Sequence, residues 1–156
     1  METSKQISVS LENKPGRLAK LLSALARDKI NITALAVMDS HEHSVLRLVT
    51  SDPSKTVQVL NSLGARHAES DVLVVELRNQ PGALAHVCEQ LAGGHINIDY
   101  AYCSAGGRNG KTVGVFKVAS TEKAMRVLGG PPNNTTRRGL GRRPVRDNRS
   151  YQAPAR

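Results

Sequence analysis

Residues 13–32, NKPGRLAKLLSALARDKINI, and residues 79–98, NQPGALAHVCEQLAGGHINI, align without a gap at an offset of 66, and ten of the twenty pairs are identical. Chance does not produce that agreement in a chain of 156 residues, whereas duplication does. The same offset sets Ile7, Val9 and Leu11 on Leu73, Val75 and Leu77. The chain therefore reads as two copies of one folding unit.

Each copy carries the same local code. In residues 6–12, QISVSLE, apolar Ile7, Val9 and Leu11 alternate with polar neighbours, which is the period of a strand with one buried face. Beyond the Pro-Gly pair, Leu18, Leu21, Leu22 and Leu25 recur at the spacing of one helical stripe, and the second copy repeats it as Leu84, Val87, Cys88 and Leu91. Pro15 and Pro81 suit the first helical turn, where a missing N–H costs nothing.

Further along, Ile30 to Met38 and Ile96 to Cys103 read as strands, with returning strands at Ser44 to Thr50 and Thr112 to Val118. A short helix follows in each copy, with Val57 and Leu60 on its apolar side in the first and Ala124 and Leu128 in the second. Strand, helix, strand, strand, helix, strand is the order of an α+β, ferredoxin-like βαββαβ unit with both helices on one face of an antiparallel sheet. The units are expected at residues 5–69 and 70–128. The second lacks a clear last strand, because its counterpart, Pro132 to Arg137, holds prolines in place of buried apolar residues. The edge of Val72 to Leu77 is accordingly expected to stay open.

Residues 129–156 differ in kind. They hold seven Arg, one acid, four of the seven Pro, and no Ile, Phe or Met, so they are expected to form a disordered basic tail. The net charge of +9 is thereby explained, since +6 of it lies on this segment and +3 on the preceding 128 residues. A basic chain invites a nucleic-acid reading. With three Tyr, one Phe and no Trp, however, it lacks the aromatics of a base-stacking sheet, so nucleic-acid contact is expected through the tail alone, nonspecific and salt-dependent. No apolar stretch is long enough to cross a membrane and no secretion signal opens the chain, so the expected location is cytoplasmic.

The chemistry lies in Asn13-Lys14-Pro15-Gly16 and Asn79-Gln80-Pro81-Gly82, between strand and helix. Taken alone, Asn-x-Pro-Gly reads first as turn and cap chemistry. Joined twice to the same leucine stripe and Ile-Asn-Ile strand start, it also reads as a ligand site. Glycine allows close backbone approach, the first-turn N–H groups attract a carboxylate, and an Asn amide bridges ammonium and carboxylate. An α-amino acid offers both groups.

These residues together resemble the signature of the ACT domain, and the chain over about residues 5–128 resembles tandem ACT-domain proteins. The resemblance implies two βαββαβ ACT domains and regulatory binding of small ligands, usually amino acids, where paired domains meet. It implies contacts from Asn13, Pro15, Gly16, Arg17 and Leu18, and from Asn79, Pro81, Gly82, Ala83 and Leu84. It further implies an allosteric sensor rather than an enzyme, dimerisation, and a regulated enzyme or transcription factor as partner. An ACT-like pair that only mediates assembly is a further reading.

Other motifs carry less. Ala105 to Thr112, AGGRNGKT, satisfies a loose phosphate-loop pattern, but a strand follows it where that mechanism needs a helix. His41-Glu42-His43 has too few ligands for a metal site, and neither a cofactor nor a catalytic acid–base pair is expected. Cys88 and Cys103 take the places of Leu22 and Val37 and are expected as small core residues. Tyr100 and Tyr102 replace Ala34 and Ala36; they could cover a ligand, pack at an interface, or form an ordinary half-buried sheet face.

Overall fold

The computed structural model describes residues 1–38, 43–107 and 111–130. Its elements run β1 (Glu2–Glu12), α1 (Arg17–Arg27), β2 (Ile32–Met38), β3 (His43–Thr50), α2 (Pro53–Ser62), β4 (His67–Arg78), α3 (Ala83–Gly93), β5 (Ile98–Gly107), β6 (Lys111–Val118) and α4 (Thr121–Gly129). The expected α+β layout is present. His41-Glu42, the turn of the loose phosphate-loop pattern and the tail beyond Gly130 lie outside the described residues. Strand β6, not a helix, succeeds that turn.

The strands form one six-stranded antiparallel sheet in the order β2-β3-β1-β4-β6-β5. The long strands β1 and β4 lie side by side at its centre and each serves both copies. In β4, His67 to Ser70 closes the first copy against β1, and Leu73 to Arg78 opens the second against β6. One strand thus runs unbroken through the 69/70 boundary expected from the repeat.

The same sharing corrects the expectation of an open edge over Val72 to Val74. Glu2, Thr3 and Ser4 pair with Val74, Leu73 and Val72, so the start of β1 occupies the place where the second copy's last strand would pair. Thr3 stands against Leu73 as Glu69 stands against Ile7, the first-copy residue that Leu73 matches. Lys5 and Asp71 face each other at the join, with an ion pair of 2.8 Å. Sequence periodicity missed this extension because residues 2–5, ETSK, carry no apolar alternation. Backbone pairing needs none.

All four helices pack on one face. Ile7 and Val9 of β1 meet Leu21, Ala24 and Leu25 of α1 and Val59 and Leu60 of α2; Leu73, Val75 and Leu77 of β4 meet Val87 and Leu91 of α3 and Ala124 of α4. Each fully buried side chain of this size contributes about 1.5–3 kcal/mol, so the two stripes read from the repeat supply both outer cores. Gly114 serves the second core, since a Cβ there would stand 2.8 Å from the Phe116 ring.

Among the described residues the opposite face has no helix, and the sheet curls around it. β2 and β5 end the strand order and would stand about 24 Å apart in a flat sheet, yet they approach to within 8 Å between Cα atoms. The enclosed face holds a third cluster, Ala34, Val49, Val72, Val74 and Val115, with Tyr102 and Val113 against it. The divergence between copies becomes intelligible here. Small Ala34 on one edge leaves room for Tyr102 from the other.

Candidate functional site

The helices fall into two classes by how they begin. Asp52 caps α2 by accepting from the Lys55 N–H at 2.9 Å, and Ser120 caps α4 by accepting from the Lys123 N–H at 3.2 Å. The helices α1 and α3, which follow the Asn-x-Pro-Gly turns, have no side-chain cap. Their N-cap residues are Gly16 and Gly82, left-handed at φ 83° and 86°. A Cβ at either position would meet nothing within 4 Å. Backbone conformation, rather than crowding, is therefore what asks for glycine. At both helices the first N–H, of Arg17 and Ala83, donates back into the turn to the Lys14 and Gln80 carbonyls, while the next two, of Leu18 and Ala19 and of Leu84 and Ala85, and the positive dipole end are left to solvent or to a ligand.

Around the first of these starts lies an open cleft of about 610 Å³. Its walls are the end of β1 (Ser10 to Glu12), the first turns of α1 (Arg17, Lys20, Leu21) and the α2–β4 connection (Leu63 to Arg66). The Glu12 carboxylate accepts from Arg17 Nη2 at 2.7 Å and lies 3.4 Å from Lys14 Nζ. Hydrogen bonds from Arg17 and then Lys14 hold this exposed carboxyl below the ordinary carboxylate range.

At the second start the cleft is smaller, about 280 Å³, and lies between Leu77 to Gln80, Ala83, Leu84, Cys103, Ser104 and Thr112. Its chemistry differs: Arg78, Gln80 and Ala83 stand where the first copy has Glu12, Lys14 and Arg17. The counterpart of the Leu63 to Arg66 wall falls on residues 131–134, outside the described residues. Leu84 is 43% exposed at the rim.

The sequence-derived residues are thus divided among separate places. Of the first set, Arg17 lines the larger cleft, while Asn13, Pro15 and Gly16 form the exposed turn beside it and Leu18 is half-buried against the first core. Of the second, Asn79, Ala83 and Leu84 line the smaller cleft, with Pro81 and Gly82 exposed in the turn. The two turns do not meet. They follow the far ends of antiparallel β1 and β4, and the register separates Glu12 from Arg78 by roughly 45 Å of straight ladder.

Glu12, Lys20 and Arg66 escaped the sequence reading. Arg66 joins the cleft only through the turn after α2, which no local pattern announces, whereas the change from Glu12 and Lys20 to Arg78 and His86 between copies was a usable signal. A correction also applies to the cysteines: Cys88 is half-buried against the second core, but Cys103, on edge strand β5, is exposed at the second cleft. Burial of its thiol in part nevertheless pushes its pKa up.

On the enclosed face the tyrosines join the copies. Gln6, wholly buried on β1, donates from Nε2 to Tyr100 Oη at 2.8 Å and accepts at Oε1 from Tyr102 Oη at 3.1 Å. The Arg47 guanidinium lies 3.5 Å from the centroid of the Tyr100 ring. Burial pushes the Tyr102 phenol up to about 12, with Tyr100 adding to the shift and Arg47 opposing it. Of the three roles open to the tyrosines in the sequence, the contacts made are those of an interface between the two copies.

Comparison with known proteins agrees with this architecture. The family model described as an ACT domain pair matches residues 2–129. A protein from Bacteroides thetaiotaomicron is 33% identical, with a TM-score of 0.74 over 81% of this chain and 87% of its own. The ligand-free regulatory subunit of aspartate kinase from Thermus thermophilus is 16% identical, with a TM-score of 0.62 over 83% of this chain and 96% of its own. The corresponding subunit from Thermus flavus is 17% identical, with a TM-score of 0.56 over 83% and 92%. These two likenesses are of fold. Among curated proteins none matches the chain. With the repeat, the shared central strands and a family match that spans both copies, the chain belongs to the ACT domain pair family.

Proposed function

We propose that this protein is a small-molecule-binding regulator whose ligand is an amino acid held at the Asn-x-Pro-Gly helix starts. The observation that carries the reading is the contrast in capping: α2 and α4 close their first turns with Asp52 and Ser120, while α1 and α3 leave theirs open beside clefts. Open N–H groups suit the ligand carboxylate, and Asn13 and Asn79 supply amides for its polar groups. The same elements support the division into two ACT units that share β1 and β4.

Because the two turns lie at opposite ends of the paired strands β1 and β4, one ligand is not shared between them. Each is completed in this reading by a second copy of the chain, which supplies the paired-domain interface. Ligand binding then favours one packing of the units, and a partner enzyme or transcription factor responds to that packing. The regulatory-subunit relatives favour this over an assembly-only role.

Thermal unfolding in the presence of each of the twenty amino acids tests the proposal. A ligand at a hundred times its dissociation constant adds about 2.7 kcal/mol to stability, so at least one amino acid is expected to raise the Tm. Folded protein that responds to none of them would sink the reading.

A further inference from the structure

Resting on that reading of the helix starts, we propose that the first cleft selects an acidic amino acid, one ammonium with two carboxylates, and that each chain binds one such ligand. The cleft is lined by three cations, Arg17, Lys20 and Arg66, and one carboxylate, Glu12. Arg17 is already engaged by Glu12 at 2.7 Å. Lys20 and Arg66 have no ion-pair partner among the described residues. A ligand that complements this lining brings two negative groups for the uncommitted cations and one ammonium for Glu12 Oε1, because Arg17 and Lys14 both engage Oε2. A neutral amino acid leaves one of those cations without a counter-charge, and a basic one adds like charge to a site already in excess of it.

Size agrees with charge. The cleft, at about 610 Å³, lies within the roughly 300–1,000 Å³ of small-molecule sites. The second cleft is smaller, about 280 Å³ among the described residues, and at the repeat offset Arg78, Gln80, Ala83 and His86 replace Glu12, Lys14, Arg17 and Lys20. No carboxylate is among the described residues that line it. Among the described residues, the complementary charges line the first cleft and not the second.

Isothermal titration of the full chain with L-glutamate, L-aspartate, L-glutamine, L-asparagine and inorganic phosphate tests the inference. One acid is expected to bind at least about tenfold tighter than its own amide, the worth of one charge-assisted contact, at one ligand per chain and more weakly as salt rises. In the Lys20→Gln/Arg66→Gln variant, whose altered side chains are exposed, the preference for acid over amide is expected to vanish while amide binding stays. Amides binding as tightly as acids, phosphate outcompeting both, or two equal sites per chain would overturn this inference and leave the broader reading standing. Absence of binding by any amino acid would remove both.

Discussion

Gln6 and Tyr100 lie on strands three places apart in the sheet order, about 14 Å in a flat sheet, and yet the Gln6 amide donates to the Tyr100 hydroxyl at 2.8 Å. The bond exists because the sheet curls, and it ties the first strand of one ACT unit to the second strand of the other. With Tyr102 bonded to the same side chain, the buried amide has its donor and acceptor both satisfied. Gln6→Leu is expected to cost about 1–3 kcal/mol in urea unfolding, because two phenols lose their partner inside the curl. Adding Tyr100→Phe and Tyr102→Phe to that variant is expected to restore part of the loss. Additive costs across the three substitutions would show that the cluster does not act as a unit.

Tyr102 makes the enclosed face sensitive to alkali. Its folded value, about 12, stands above the ordinary 10.0 because burial disfavours the phenolate. Its contribution is fully present below the unfolded value and is lost as pH rises through the folded one, so stability is expected to fall between pH 10 and 12. A phenolate absorbance titration of the wild type and Tyr102→Phe checks this. The late phase should be missing from the variant, and its persistence would assign it elsewhere.

The start of β1 is expected to protect the second ACT unit. Deleting residues 1–4 removes the pairing of Glu2, Thr3 and Ser4 with Val74, Leu73 and Val72. Those backbone bonds contribute about 1 kcal/mol each. Hydrogen exchange should accelerate at the β4 amides that face this segment while the β1–β3 ladder keeps its protection. Unchanged exchange in β4 would mean that this edge does not depend on the N-terminus.

Two glycine positions should respond for different reasons. At Gly114 the added methyl of Gly114→Ala meets the Phe116 ring at 2.8 Å and Leu77 Cδ1 at 3.1 Å, so a loss of about 1–3 kcal/mol from overpacking is expected. At Gly16 space is free and the left-handed φ of 83° is the obstacle, so Gly16→Ala should cost about 1–2 kcal/mol. A similar cost at Gly16 and Gly114 with ligand affinity intact would confine Gly16 to the turn.

Helix ends offer the reverse test. Lys29 and His95, equivalent residues just past α1 and α3, hold φ of 57° and 53°. Glycine is the residue best suited to that position. Lys29→Gly and His95→Gly are each expected to stabilise the protein by a few tenths to about 1 kcal/mol in thermal or urea unfolding. Destabilisation would show that the two side chains do more than occupy strained backbone.

Much of the architecture was legible in the linear pattern because its causes are local. Alternating Ile7, Val9 and Leu11, the stripe of Leu21 and Leu25, and the Pro-Gly turns depend on periodicity and backbone preference, and duplication stated them twice. The start of β1 was not legible, because residues 2–5 pair through backbone groups that every sequence possesses. Nor was the fate of the tyrosines. Their contact with Gln6 and Arg47 depends on the curl of the sheet, which brings β5 of the second copy over β1 and β3 of the first. Likewise Arg66 reaches the cleft of Glu12, Arg17 and Lys20 only once β4 lies beside β1. Short-range chemistry thus settled which segments are strands, helices and open helix starts, whereas chain reversal and strand pairing over long separations decided which charges share a cleft and which faces are enclosed.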